Sequence, residues 1–253
     1  MSKILKFLII IAIVVLISLL IYNRESEVIN TEIDRPLLPS IAVFPPHDIG
    51  VFHEEGRTVI RFGATHWNKG AGTFYIYRAN NPSDGSESYE VFQKIFRKDG
   101  TVQNRSIGEF VWHHEHNHYH LTNFMEYSLH SLDDPDRAPL YEDKVTYCLR
   151  DNGPIDLTLP GAPEDPVYEL CEADVQGISV GWRGTYGYEI PGQDIDMTGV
   201  PSGRYELRIV FDPLNLIKEL DRSDNTSYAI LRWDAQSESV EVLSKSSSEE
   251  SYP

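Results

Sequence analysis

Tyr89-Glu-Val-Phe-Gln-Lys-Ile-Phe-Arg-Lys-Asp-Gly-Thr-Val-Gln103 decides the fold class. Apolar and polar residues alternate up to Lys98, as they do in a strand with one buried face, and Asp99-Gly100 then supplies the residue pair that favours a hairpin turn. The same pattern recurs on both sides of this hairpin. Upstream, Arg57-Thr-Val-Ile-Arg-Phe-Gly-Ala64 and Thr73-Phe-Tyr-Ile-Tyr-Arg78 read as strands separated by Gly70-Ala-Gly72. Downstream, Arg204-Tyr-Glu-Leu-Arg-Ile-Val-Phe211, Ser227-Tyr-Ala-Ile-Leu-Arg-Trp233 and Ser239-Val-Glu-Val-Leu243 do so. No segment beyond the first residues sustains a 3.6-residue period. The prediction is an all-β domain, an antiparallel β-sandwich with long loops at 131–139 and 151–167. The chain contains no internal repeat.

The first residues differ from the rest. Lys3 and Lys6 precede an apolar run, Phe7 to Tyr22, broken only by Ser18. Such a run is slightly short for a spanning helix and long for a signal-peptide core, and no Ala-x-Ala site follows it. It predicts an N-terminal transmembrane helix or signal anchor over residues 1–24. The preceding lysines place the N-terminus in the cytoplasm and the remainder on the extracytoplasmic side. Cleavage of the segment would make the protein secreted. Residues 25–40, with Pro36 and Pro39, read as a linker, 41–244 as the folded domain and 245–253 as a disordered Ser/Glu-rich tail.

Net charge is −17, from 22 basic and 39 acidic residues. A surface of this sign repels nucleic acid and favours cationic partners such as amines, although solubility alone also accounts for it. Cys148 and Cys171 are the two cysteines. An even count in an oxidising compartment predicts one disulfide, worth about 3 kcal/mol on the loop-entropy model; two inert buried thiols are the alternative.

Chemistry concentrates at Trp112-His-His-Glu-His-Asn-His-Tyr-His120, which holds five of nine histidines. Neutral imidazole is the commonest metal ligand, and His116, His118 and His120 would share one face of a strand. A straight strand separates the outer two Cα atoms by ~13 Å, so irregular backbone is expected if all three hold one ion. Three imidazoles without a thiolate suit copper(II) or zinc, with copper bound more tightly. A surface histidine run with adventitious affinity is the bland alternative. His113 suits a supporting or basic role, and His114 reads as exposed.

The histidine stretch resembles the copper motif of the lysyl oxidase family, Trp-His-x-Cys-His-x-His-Tyr-His, with Glu115 in the cysteine position. The resemblance extends from about Asp48 to Trp233. It implies a lysine tyrosylquinone cofactor made from two side chains of the same chain. The lysine position matches Asp143-Lys144-Val-Thr-Tyr-Cys-Leu149; the tyrosine position follows Gln176-Gly-Ile-Ser179 and lies in Thr185-Tyr186-Gly187. Lys144 and Tyr186 are therefore selected, with Tyr188 ranked below. Without the resemblance, Lys144 would be an exposed strand lysine and Tyr186 a loop aromatic. Extra cysteines usual in the family are missing, with Trp182 and Gly192 where a pair is expected. Cys148 and Cys171 match cysteines that have other partners in those relatives. The acidic run with Glu219, Asp221, Asp224 and Asn225, together with Asp48, resembles a family calcium site; a solvated acidic turn is the alternative.

The resemblance implies a copper-dependent amine oxidase that converts primary amines, including peptidyl lysine, to aldehydes with release of hydrogen peroxide and ammonia, using molecular oxygen. Two alternatives stay open. One is a non-catalytic extracellular copper- or zinc-binding module. The other is a zinc hydrolase with Glu115 as base, which leaves the Lys144 and Tyr186 matches unexplained.

Overall fold

The computed structural model describes residues 16–22, 24, 35–79, 88–172 and 174–246. Strand dominates it. The strands are β1 (Pro36–Leu37), β2 (Ile41–Val43), β3 (His47–Glu54), β4 (Arg57–Asn68), β5 (Phe74–Arg78), β6 (Tyr89–Arg97), β7 (Val102–His113) and β8 (His118–Ser131). They continue with β9 (Tyr141–Tyr147), β10 (Gly153–Pro154), β11 (Val175–Ile178), β12 (Trp182–Tyr186), β13 (Asp194–Asp196), β14 (Gly203–Phe211), β15 (Thr226–Asp234) and β16 (Ser239–Lys245). The all-β expectation is met, with antiparallel pairing between the named strands.

Two compact units divide the chain. The smaller comprises Met1–Leu37 with Phe96–Val102, the larger Leu38–Ile95 with Gln103–Pro253. In the smaller unit β1 pairs with the end of β6, Pro36 opposite Arg97. The Asp99-Gly100 turn forms where the sequence predicts it. Gly100 takes φ 84°, a left-handed conformation that glycine adopts without steric cost. The Asp99 carboxylate accepts hydrogen bonds from the Thr101 amide and hydroxyl. Residues 16–22 are helical and exposed. Among the described residues no helix is long and apolar enough to cross a membrane. Most of the predicted 1–24 anchor and most of the predicted tail fall outside the described residues.

In the larger unit one sheet runs β11-β5-β6-β7-β8-β14-β15-β16, with β9 also on β8. The second runs β10-β12-β4-β13, with β2 and β3 also on β4. Alternation explains the inner face of the first sheet: Tyr205, Leu207, Ile209 and Phe211 of β14 and Ala229, Leu231 and Trp233 of β15 point inward. They meet Ile60, Phe62 and Ala64 of the second sheet in one core. β4 is buried almost continuously, because neighbours flank both of its edges along its length. The folded body begins before residue 41. Leu38 and Ser40 are buried, and the Pro39 and Ser40 carbonyls accept from Leu220 and Lys69.

Two buried polar side chains organise the loops. Asn68 accepts from the Ser40 and Gly70 amides and donates to the Gly72 and Ile178 carbonyls. Asp151 anchors the long 148–174 connection by accepting from the amides of Val167, Tyr168 and Ser179 and from the Ser179 hydroxyl.

His66 is different. It is fully buried, packs edge-on to Phe124 and Tyr147, and neither ring nitrogen has a hydrogen-bond partner. Burial pushes its pKa down from 6.5 to about 3. Below pH 6.5 the unfolded chain takes up a proton that the folded ring refuses. The stability this ring supports above pH 6.5 is therefore lost as pH falls from 6.5 toward 3, by up to ~1.4 kcal/mol per pH unit. His66→Phe is expected to remove that share of the acid sensitivity. Urea midpoints that decline as steeply in His66→Phe as in the parent chain would contradict this account.

Candidate metal centre

The histidine cluster is placed by a hairpin. β7 ends at His113, residues 114–117 turn, and β8 starts at His118, with His113 opposite His118. Asn117 adopts φ 55°, a conformation asparagine tolerates better than most residues, and its amide donates to the His113 carbonyl at 2.8 Å. The three histidines thus do not share one strand face. His116 comes from the turn, while His118 and His120 come from β8. The irregular backbone expected from their spacing is this turn.

Three groups converge on His120 Nε2. His118 Nε2 lies at 2.9 Å, His116 Nδ1 at 3.2 Å and the Tyr186 hydroxyl at 3.2 Å. An imidazole nitrogen offers one donor or one acceptor, so it cannot satisfy three such neighbours. Two imidazole nitrogens that both ligate a cation at about 2.0 Å stand roughly 3 Å apart. The His118–His120 and His116–His120 spacings are each those of two ligands on one ion, but the histidine set whose ligating atoms all lie within 4.8 Å of one another is His113, His116 and His120, without His118. The opposite face of His120 is fixed by Thr146 Oγ1, 2.9 Å from Nδ1. A ligand histidine is commonly oriented in this way by its second nitrogen.

His113 is the fourth imidazole. Its ring stacks on His116 at 4.3 Å and on His120 at 4.5 Å, and His113, His116 and His120 bring ligating atoms within 4.8 Å of one another. His113 Nδ1 and His116 Nε2 are buried without hydrogen-bond partners. Burial is the largest cause lowering the pKa values of His116, His118 and His120, and His120 falls to about 2. The cluster therefore favours neutral rings, the form that ligates. His114 and Glu115 are exposed in the turn.

Tyr186 arrives from the other sheet. It ends β12, opposite Ala64 of β4, and is 9% exposed. The Cys148 amide donates to its hydroxyl at 2.8 Å, and its ring lies 4.0 Å from that of Tyr147. Burial raises its pKa to about 12, against smaller lowering by the Cys148 hydrogen bond and the Arg150 charge. Tyr188, by contrast, is exposed and stacks on Phe52.

Lys144 lies on β9, opposite Glu126 of β8. Its amine is 3.1 Å from Glu126 and 3.9 Å from Glu142, and Glu126 above all raises its pKa. A cavity of about 240 Å³ has His113, His116, His120, Lys144, Thr146 and Tyr186 in its walls. A second, of about 310 Å³, opens on the other side of Tyr186 and is lined by His116, His118, Arg150, Glu189 and the two cysteines. Cys148 and Cys171 are disulfide-bonded, as the even count predicts.

The oxygen-rich run behaves otherwise. Glu219 accepts from the Ile41 amide, Asn225 and Arg222, and burial raises its pKa to about 7. Asp224 pairs with Lys69, Asp221 accepts from the Ser223 amide, and Asp48 contacts His47. Among the described residues, no three of the carboxylates Asp48, Glu219, Asp221 and Asp224 bring oxygens within 4.8 Å of one another. The chain's own cation, Arg222, occupies Glu219. Asp224 Oδ1 and Asn225 Oδ1 are buried and have no hydrogen-bond partner among the described residues.

Sequence reasoning missed Thr146 and Glu126 as partners. Thr146 stands two residues from Lys144, but only the pairing of β8 with β9 aligns either residue with the site.

Comparison with known proteins agrees with this geometry. A family model described as lysyl oxidase matches residues 89–243, more than half of the chain. Lysyl oxidase homolog 2 of Gallus gallus is 30% identical over 155 residues, which cover 57% of this chain and 19% of that protein. Lysyl oxidase homolog 4 of Mus musculus is 30% identical over 155 residues, again 57% of this chain and 19% of the relative. Protein-lysine 6-oxidase of Homo sapiens is 33% identical over 153 residues, covering 55% of this chain and 34% of that protein. The chain thus matches from a fifth to a third of the length of these relatives. The matched span holds the histidine hairpin, Lys144 and Tyr186, and the chain belongs to the lysyl oxidase family.

Proposed function

We propose that this protein is a copper-dependent amine oxidase that uses a lysine tyrosylquinone formed from Lys144 and Tyr186. The net reaction would take a primary amine, oxygen and water to an aldehyde, ammonia and hydrogen peroxide. One observation carries the reading. The Tyr186 oxygen stands 3.2 Å from the imidazole nitrogen on which His116 and His118 converge, and Lys144 lines the same cavity. His116, His118 and His120 would hold copper. Bound there, copper would supply redox chemistry with oxygen at the Tyr186 ring, and the resulting quinone an electrophilic carbonyl.

The chain's own groups do the positioning. The Cys148 amide fixes the Tyr186 oxygen, and Thr146 fixes His120. Glu126 holds Lys144 in an ion pair that favours the charged amine, so the amine must leave Glu126 and lose a proton before it attacks a ring. The same ion pair favours a second reading, a metal-binding module in which Lys144 stays unlinked. Peptide mass mapping of copper-loaded, oxygen-exposed protein with phenylhydrazine separates the two. A Lys144–Tyr186 cross-linked peptide carrying the label is expected. Unmodified peptides at full copper occupancy would leave only the metal-binding module. The disulfide supports an extracytoplasmic location.

We take the 310 Å³ cavity as the amine's approach to Tyr186; its walls carry one carboxylate, Glu189, and one guanidinium, Arg150. The Glu189 carboxylate folds over Gly187, next to Tyr186; a Cβ on Gly187 would meet it at 2.3 Å. Lysine-containing proteins and diamines carry a positive charge that this carboxylate attracts. Glu189→Gln is expected to raise KM for a diamine about fivefold and leave KM for an uncharged-tail amine within twofold. Added salt should weaken the diamine preference in the parent chain. Equal changes for both amines would refute a charge-recognition role.

A further inference from the structure

The disulfide borders the histidine site. A ligating nitrogen of His118 and the sulfurs of Cys148 and Cys171 lie within 4.8 Å of one another. All three residues line the 310 Å³ cavity, and His118 and Cys171 also line a neighbouring cavity of about 450 Å³. Two thiols and an imidazole at this spacing suit a soft cation, copper(I) above all.

The backbone would hold these groups in place without the S–S bond. Gln176 is 0% exposed and ties three segments together. Its Oε1 accepts from the Leu149 amide, next to Cys148, and its Nε2 donates to the Glu172 carbonyl, next to Cys171, and to the Tyr119 carbonyl, next to His118. The Tyr119 amide donates to the Cys171 carbonyl at 3.1 Å. Arg150 lines both cavities, where its charge offsets that of two thiolates.

We propose that Cys148, Cys171 and His118, with the disulfide reduced, form a second metal site that takes up copper(I) and hands it to the histidine cluster. His118 belongs to both sets, since its Nε2 is also 2.9 Å from His120 Nε2. The two sites are therefore alternatives rather than neighbours that fill together. Closing the disulfide joins the two thiolate sulfurs and releases two electrons, which oxygen accepts, with two protons from solvent, as hydrogen peroxide. That step removes two of the three soft ligands and leaves the metal to His116, His118 and His120. The loading role rests on the copper reading above; the thiol site itself does not.

The test titrates copper(I), against a chromogenic competitor and without oxygen, into the full chain in reduced and in disulfide form. The reduced chain is expected to bind one copper(I) at least tenfold more tightly, with a thiolate-to-copper absorption band. Cys171→Ser and His118→Ala should each weaken binding at least tenfold and lose or shift the band. His53→Ala, at an exposed histidine outside the cluster, should leave copper(I) affinity within twofold. Circular dichroism should show the reduced chain retaining its sheet signal. Equal affinity of the two redox forms, equal loss in His53→Ala, or loss of the sheet signal on reduction would each overturn the proposal. Phenylhydrazine labelling of the oxidised, copper-loaded chain tests the oxidase reading separately. A label without a thiol site sinks only the loading site; a thiol site without a label supports that site and sinks the oxidase.

Discussion

Tyr186→Phe is expected to abolish phenylhydrazine labelling and to reduce amine oxidation by at least about a thousandfold, the order expected when a covalent cofactor cannot form. The substitution removes one oxygen and keeps the buried ring. Its structural cost is two hydrogen bonds, from the Cys148 amide and with His120 Nε2, worth about 1 kcal/mol each. Copper binding should survive, because the three imidazoles remain. Tyr188→Phe is the matched control: Tyr188 is exposed and packs on Phe52, so labelling and turnover should stay within twofold. Labelling retained in Tyr186→Phe and lost in Tyr188→Phe would reassign the cofactor tyrosine.

His120→Ala should eliminate stoichiometric copper binding, and with it every later step. His120 is 1% exposed and is the point on which His116, His118 and Tyr186 converge. Thr146→Val is the graded companion. It keeps all three imidazoles but removes the hydroxyl that orients His120, and should weaken copper affinity roughly 10–100-fold. Equilibrium dialysis measures both. Near-native affinity in His120→Ala would move the metal to a set that omits this residue, such as one built around His113.

Much of the fold is legible in the sequence because it is local. Alternation of Val91, Gln93 and Ile95 marks β6, and Asp99-Gly100 marks its turn. The histidine cluster is legible because imidazoles at such density need a purpose. Its geometry is less so. Alternating histidines suggest one strand face, whereas Asn117 enters a left-handed turn and His116 reaches the site from outside β8. The partnership of Lys144 with Glu126 depends on the register between β8 and β9, which shifts between Leu121 and Met125 and leaves no trace in composition. The acidic run is the converse case. Acid density is visible in the sequence, but the engagement of Glu219 by Arg222, Asn225 and the Ile41 amide appears only after folding.

Tyr186 belongs to β12 in one sheet and Lys144 to β9 in the other. A covalent bond between them would act as a staple across the core, as well as a cofactor. It would close a loop of roughly forty residues, worth about 4 kcal/mol on the chain-entropy model. Maturation would then stiffen the domain in the same event that activates it, and the unprocessed chain would be the more easily unfolded and degraded form. A domain with one disulfide would gain from its own chemistry a second covalent reinforcement.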